Sequence, residues 1–153
     1  MLSGHRVENR ATVLVVDDSP EMRRYLRFLL ELDSYHVETA STGDEAVQRL
    51  RNGFVPQIVL LDLQMPGMDG LKTLRHLRKL RPSLKVIMCS GVEDARKIRR
   101  AASLGAEAYI RKPVQKLYLS AAMERCLSRG LEPASELGRR GTLLMYPPPR
   151  YNT

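Results

Sequence analysis

Four short apolar runs end in residues whose chemistry is not that of a core. Asp17-Asp18 follows Val13-Leu14-Val15-Val16, Asp62 follows Ile58-Val59-Leu60-Leu61, and Ser90-Gly91 follows Val86-Ile87-Met88-Cys89. Arg111-Lys112-Pro113 follows a run that ends at Ile110. A lone Asp-Asp after a strand is usually a turn or a helix cap, and a lone Lys-Pro is usually nothing. The coincidence of all four at successive run ends is far more specific. Three carboxylates brought together in a partly dry site repel one another, so one must take up a proton or the group must bind a cation. Hard oxygen ligands select magnesium or calcium, and magnesium is commonly held by one or two carboxylates plus a phosphate. Lys112 would supply a fixed positive charge, Ser90 a hydroxyl, and Gly91 an N–H that no side chain covers. These are the donors that an incoming phosphoryl group needs. An aspartate can itself be the nucleophile and form an acyl phosphate. Asp62, single on its run, is the natural choice, with Asp17 and Asp18 as the metal pair.

That chemistry requires the run ends to meet. Five runs, at 12–16, 36–40, 58–61, 85–89 and 107–110, alternate with five helical patterns. Three runs are continuously apolar, as strands buried on both faces are, whereas the second and fifth carry His36, Glu38, Thr39 and Glu107 and suit sheet edges. The helices have readable ends. Ser19 precedes Pro20, and Met22, Tyr25, Leu26 and Leu29 then fall on one face. Thr42-Gly43-Asp44-Glu45 is a capping box for the second helix, and Gly53 can end that helix. Leu71, Leu74 and Leu77 mark a third helix that ends near Pro82. The fourth spans about 93–104 and stops at Gly105, and the fifth runs from Pro113 to about Arg129. The alternation predicts an α/β fold, an open five-stranded parallel sheet of order 2-1-3-4-5 with helices on both faces and the ligand crevice at the carboxyl ends of strands 1 and 3.

Bulk composition is compatible with this. The chain has 153 residues, 43% of them hydrophobic and 27% charged, which suits one domain with a core of its own. No apolar run approaches the 18 or so residues of a membrane span, and residues 1–10 lack the apolar stretch of a secretory signal. Cys89 and Cys126 have no metal-binding spacing, Cys89 reads as a buried thiol, and a cytoplasmic location is expected. The net charge is +8. Most of it lies before residue 130, where it suits a solvated basic surface or an acidic partner. Residues 1–10 read as an N-terminal extension, 11–130 as the domain, and 131–153 as a tail or linker rich in Gly, Pro, Ser and Arg.

Over about residues 10–130 the chain resembles the receiver domain of bacterial response regulators. The motifs are Val15-Val16-Asp17-Asp18-Ser19, the segment from Leu61-Asp62 through Met65-Pro66-Gly67-Met68-Asp69-Gly70, Cys89-Ser90-Gly91, and Tyr109-Ile110-Arg111-Lys112-Pro113. The resemblance implies two-component signalling, with Asp62 phosphorylated by a histidine kinase or phosphotransfer protein. It implies Mg²⁺ held by Asp18, Asp62 and the backbone carbonyl of Gln64, with Asp17 acting through water. It implies phosphoryl binding by Ser90, Lys112 and the N–H groups near Gly91, and a cis bond before Pro113. It also implies a switch in which Ser90 moves toward the phosphoryl group and Tyr109 turns inward. A downstream protein target or output domain follows from the same resemblance. Arg96, Lys97, Arg99 and Arg100 of the fourth helix would usually form a solvated face, but on an element expected to move they suit an acidic partner surface or a homodimer through the fourth-to-fifth-helix face. Val92, two residues after Ser90, cannot orient a water by hydrogen bonding and suggests a longer-lived phosphoryl group.

A rival is an aspartyl-phosphate-forming phosphohydrolase, which would require a second aspartate two residues after the nucleophile. Gln64 stands there. The chain then reads as a phosphoacceptor switch whose only reactions are self-phosphotransfer and autodephosphorylation, not as an enzyme. No segment reads base edges, so direct nucleic-acid binding is not expected, nor is a membrane.

Overall fold

The computed structural model describes residues 10–91, 93–128 and 143–148. The elements alternate as β1 (Thr12–Val16), α1 (Pro20–Leu32), β2 (His36–Ala40), α2 (Gly43–Arg51), β3 (Ile58–Leu61), α3 (Gly70–Leu80), β4 (Lys85–Ser90), α4 (Ala95–Ser103), β5 (Ala108–Arg111) and α5 (Lys116–Ser128), followed by β6 (Leu144–Tyr146). The strands form one sheet in the order β2-β1-β3-β4-β5-β6, and every pairing is parallel. The order 2-1-3-4-5 is present as expected, but among the described residues the sheet has six strands, not five. The sixth comes from the segment read as a tail. Its three residues pair with Ala108, Tyr109 and Ile110, so β5 is an interior strand and the sheet edges are β2 and β6.

Alternation along the strands builds a core on each face. Val13 and Val15 of β1 join Ile58 and Leu60 of β3 in a cluster with Leu26, Leu29 and Leu30 of α1 and Leu119, Ala122 and Met123 of α5. Leu14 and Val16, with Val59 and Leu61, face the other way onto Ala46, Val47 and Leu50 of α2, Leu74 and Leu77 of α3, and Ala101 of α4. Burial on both faces is why these runs carry no polar alternation. Cys89 and Cys126 are both buried, and burial pushes the Cys89 thiol up to about 12.

Three local features differ from the sequence reading. The buried face of α1 is Leu26, Leu29 and Leu30, while Tyr25 lies at its rim, 43% exposed. Tyr25 uses that position to donate its hydroxyl proton to the Val114 carbonyl at 2.7 Å. Helix α5 begins at Lys116 and not at Pro113, with the Tyr118 and Leu119 N–H groups both donating to the Gln115 carbonyl. Helix α4 starts at Ala95 because the Asp94 side chain accepts from the Arg96 N–H, which makes Asp94 the cap. The other caps form as the sequence suggests, with Ser19 accepting from the Met22 N–H and Thr42 from the Glu45 N–H.

Candidate functional site

Parallel register brings the carboxyl ends of β1, β3, β4 and β5 to one edge. Val16 pairs with Leu61, Leu61 with Met88, and Ser90 with Arg111. The next residue on β1 and on β3 is therefore an aspartate at the same level. Asp17 and Asp62 are 2% and 6% exposed, while Asp18 is exposed to solvent. One ligand oxygen from each of the three lies within 4.8 Å of the others.

Backbone geometry locks the two buried carboxylates. Asp17 Oδ1 accepts from the Ser19 N–H at 2.9 Å, and Asp62 Oδ1 accepts from the Gln64 N–H at 3.1 Å. The second oxygen of each faces the same cation, since Lys112 Nζ lies 2.8 Å from Asp17 Oδ2 and 3.2 Å from Asp62 Oδ2. Lys112 is itself positioned by its backbone N–H, which donates to the Ser90 carbonyl at 3.0 Å and extends the β4–β5 ladder. The Lys112–Pro113 bond is cis. The guanidinium of Arg23 donates to the Asp17 carbonyl at 2.7 Å and ties α1 to this loop.

The electrostatics are those of too much negative charge for one lysine. Burial holds the Asp62 carboxyl above its ordinary value, helped by the nearby Asp17 and opposed by the Gln64 N–H and Lys112. Burial also works against the Lys112 ammonium. Its hydrogen bond to Asp17 and the charges of Asp62 and Asp17 outweigh that effect and hold it above its ordinary value. Three carboxylates against one ammonium leave an all-oxygen ligand set with one solvent-facing member, suited to a hard divalent cation.

The other residues that the sequence singles out lie at or after the end of β4, on β5 and on α4. Ser90 is buried at the end of β4. Gly91 follows it in the open, and an added Cβ there would meet nothing within 4 Å. Tyr109 is fully buried, with its hydroxyl donating to the Ser90 carbonyl at 3.5 Å. Val92 lies outside the described residues. The four basic residues of α4, Arg96, Lys97, Arg99 and Arg100, are all exposed. Lys97 also reaches an open cleft of about 330 Å³ lined by Leu63, Gln64, Met65, Pro66 and Asp69.

Sequence reasoning missed the role of Gly70. The loop after Asp62 folds back so closely that a Cβ on Gly70 would sit 2.6 Å from Leu63 Cα and press on the Asp62 carbonyl. The Gly70 N–H donates to the Leu63 carbonyl at 3.1 Å. Asp69 caps α3 by accepting from the Lys72 N–H at 2.8 Å. The Asp69-Gly70 pair therefore staples the α3 N-terminus under β3. In the sequence Gly70 is only the end of the motif that begins at Leu61-Asp62, with no sign of its close contact with backbone.

With this geometry in place, comparison with known proteins is decisive about class. Residues 13–124 match the model of the response regulator receiver domain, and the chain belongs to that family of two-component phosphoacceptor signalling modules. It is 36% identical over 104 residues to the chemotaxis protein CheY of Halobacterium salinarum, a match that covers 68% of this chain and 86% of that one. It is 34% identical over 125 residues to the CpxR homolog, a transcriptional regulatory protein of Haemophilus influenzae. There the match covers 82% of this chain but only 54% of the relative. A CheY-like receiver domain protein from Methanospirillum hungatei superposes with a TM-score of 0.73 at 32% identity, covering 77% of this chain and 94% of that structure. Among the described residues, no helix is long and apolar enough to cross a membrane.

Proposed function

We propose that Asp62 is the phosphoacceptor of a Mg²⁺-dependent switch. The observation that carries this reading is the clamp of Lys112 across Asp17 and Asp62, within a cluster whose three ligand oxygens lie within 4.8 Å of one another. Asp17, Asp18, Asp62 and the Gln64 carbonyl would hold the cation, which when bound supplies charge neutralisation for phosphoryl oxygens.

The residues of the chain do the rest. The Gln64 N–H fixes one Asp62 oxygen, which leaves the other to attack phosphorus. A new O–P bond forms as the P–N bond of a phosphohistidine donor breaks, and the imidazole departs. Lys112, already 3.2 Å from Asp62 Oδ2, then pairs with the phosphoryl oxygens, and Ser90 and the N–H groups near Gly91 complete the shell. Such charge-assisted hydrogen bonds contribute about 1.5–3 kcal/mol each, enough to bias a two-state equilibrium. Ser90 and Tyr109, joined at 3.5 Å, form the switch pair. Phosphohydrolysis is the weaker reading, because Gln64 offers a backbone N–H to Asp62 and no acid–base side chain.

The donor is a histidine kinase or phosphotransfer protein. The recipient of the signal is a protein target or an output domain, or a second copy meeting the α4–α5 face with its exposed Arg96, Lys97, Arg99 and Arg100. A cytoplasmic location goes with this reading, which calls for no direct contact with nucleic acid or membrane. Residues 11–130 would form the receiver, with an extension at 1–10 and an attached segment at 131–153. The test is intact mass after incubation with Mg²⁺ and a small phosphodonor. Wild type gains one phosphoryl group and Asp62→Asn gains none. Equal labelling of both defeats the assignment.

A further inference from the structure

Strand β6 lies beyond the residues that match the receiver family, which end at 124, yet it completes the sheet. It runs parallel to β5 with Leu144 beside Ala108, Met145 beside Tyr109 and Tyr146 beside Ile110. Partners in parallel register share a sheet face. Leu144 and Tyr146 accordingly pack onto the core of the α1–α5 face, and the Tyr146 ring meets the Tyr118 ring at 6.4 Å. Leu143 and Met145 pack onto the opposite core, the one that contains Tyr109. Pro147-Pro148 follows, and proline, lacking an N–H, cannot extend the ladder.

Without these residues β5 would be the sheet edge, with unpaired backbone groups and an open flank beside the Tyr109 ring. With them, Tyr109 is fully buried and its hydroxyl meets the carbonyl of Ser90, one residue of the site. The attachment is small. It comprises three ladder residues and side chains that all remain partly exposed. A strand held this lightly opens at far lower free energy than the central strands.

We propose that β6 is a strap, an in-cis strand that closes the β5 edge and holds Tyr109 in its buried seat beside Ser90. Release of the strap opens the β5 edge to a partner strand and loosens the phosphoryl site. Its coupling to that site rests on the phosphoacceptor reading above. Reciprocity requires that a strap which favours the phosphoryl-binding arrangement be itself favoured when that site is filled.

The test uses the full chain as wild type, Met145→Asp and Met145→Leu. Aspartate puts a carboxylate against the Tyr109 core and should unseat β6, whereas leucine keeps the apolar contact. Backbone hydrogen exchange across 108–111 should rise about tenfold or more in Met145→Asp, and beryllofluoride affinity in Mg²⁺ should fall about fivefold. Met145→Leu should match wild type in both. Unchanged exchange across 108–111 in Met145→Asp overturns the proposal, as does raised exchange with unaltered beryllofluoride affinity. Absence of beryllofluoride binding in every variant, wild type included, contradicts the phosphoacceptor reading instead, and exchange at 108–111 then decides the strap by itself.

Discussion

Lys112 Nζ stands 2.8 Å from Asp17 Oδ2, so the loop after β5 is tied to the loop after β1 across the whole width of the site. The same ammonium meets Asp62 at 3.2 Å, and one side chain compensates two buried carboxylates.

Lys112→Ala should therefore destabilise the protein by about 1–3 kcal/mol at neutral pH, as expected when a charged hydrogen-bond partner is removed from buried groups. The pH dependence has a definite sign. The folded-state pKa of Lys112 lies above its ordinary 10.5, so its contribution is complete below about that pH and is lost as pH rises through the folded value. Denaturant titrations should show a constant gap between wild type and variant from neutral to mildly alkaline pH, narrowing only above it. A gap that closes between pH 6 and 8 would contradict the clamp.

Asp62 behaves in the opposite sense. Its folded-state pKa is raised from 3.8, with burial the largest cause, so the ionised carboxylate opposes folding at neutral pH and the penalty disappears as pH falls toward 3.8. Asp62→Asn should raise Tm at pH 7 by about 3–6 °C, with the difference shrinking steadily as the buffer is acidified. Calorimetry in metal-free buffer reads this directly.

A divalent cation should relieve the same repulsion. Mg²⁺ binding only to the folded state would stabilise wild type by about 2.7 kcal/mol at a concentration about a hundred times Kd. Asp18→Asn, which alters the exposed member of the cluster, should weaken that gain without lowering stability in the absence of metal. Thermal melts across a Mg²⁺ series distinguish this from a general salt effect, for which Na⁺ at matched ionic strength is the control.

Gly70→Ala tests the packing under Asp62. The added Cβ meets backbone atoms of Leu63 at 2.6 and 2.9 Å, and backbone cannot give way as a flexible side chain can. A loss of about 1–3 kcal/mol is expected, as for other overpacked sites, together with weaker Mg²⁺ response because the Asp62 loop shifts. A fully stable Gly70→Ala with unchanged Mg²⁺ response would show that the loop is not held this way.

The site was legible in the sequence because its residues sit directly after strands that are too apolar to be anything but buried. Once Val13–Val16, Ile58–Leu61 and Val86–Cys89 are neighbours in one direction, Asp17, Asp62 and Ser90 have no choice of edge. Gly70 and Tyr25 were less legible, since a close approach to backbone and a bond from Tyr25 to the Val114 carbonyl leave no periodic trace. Strand β6 was hidden for a stronger reason. Leu144-Met145-Tyr146 is three residues long, is followed at once by three prolines, and has no polar alternation of its own. Only the register of β5 shows that it has a place in the sheet.

The proposed switch requires that Asp62, and neither Asp17 nor Asp18, carry the phosphoryl group. After phosphorylation by a small phosphodonor in Mg²⁺, borohydride reduction converts an aspartyl phosphate to homoserine, which peptide mass analysis can locate. Homoserine is expected at position 62, and its formation should be abolished in Asp62→Asn. Homoserine at position 17 or 18, or an acid-stable phosphate on Ser90 with position 62 unmodified, would contradict it.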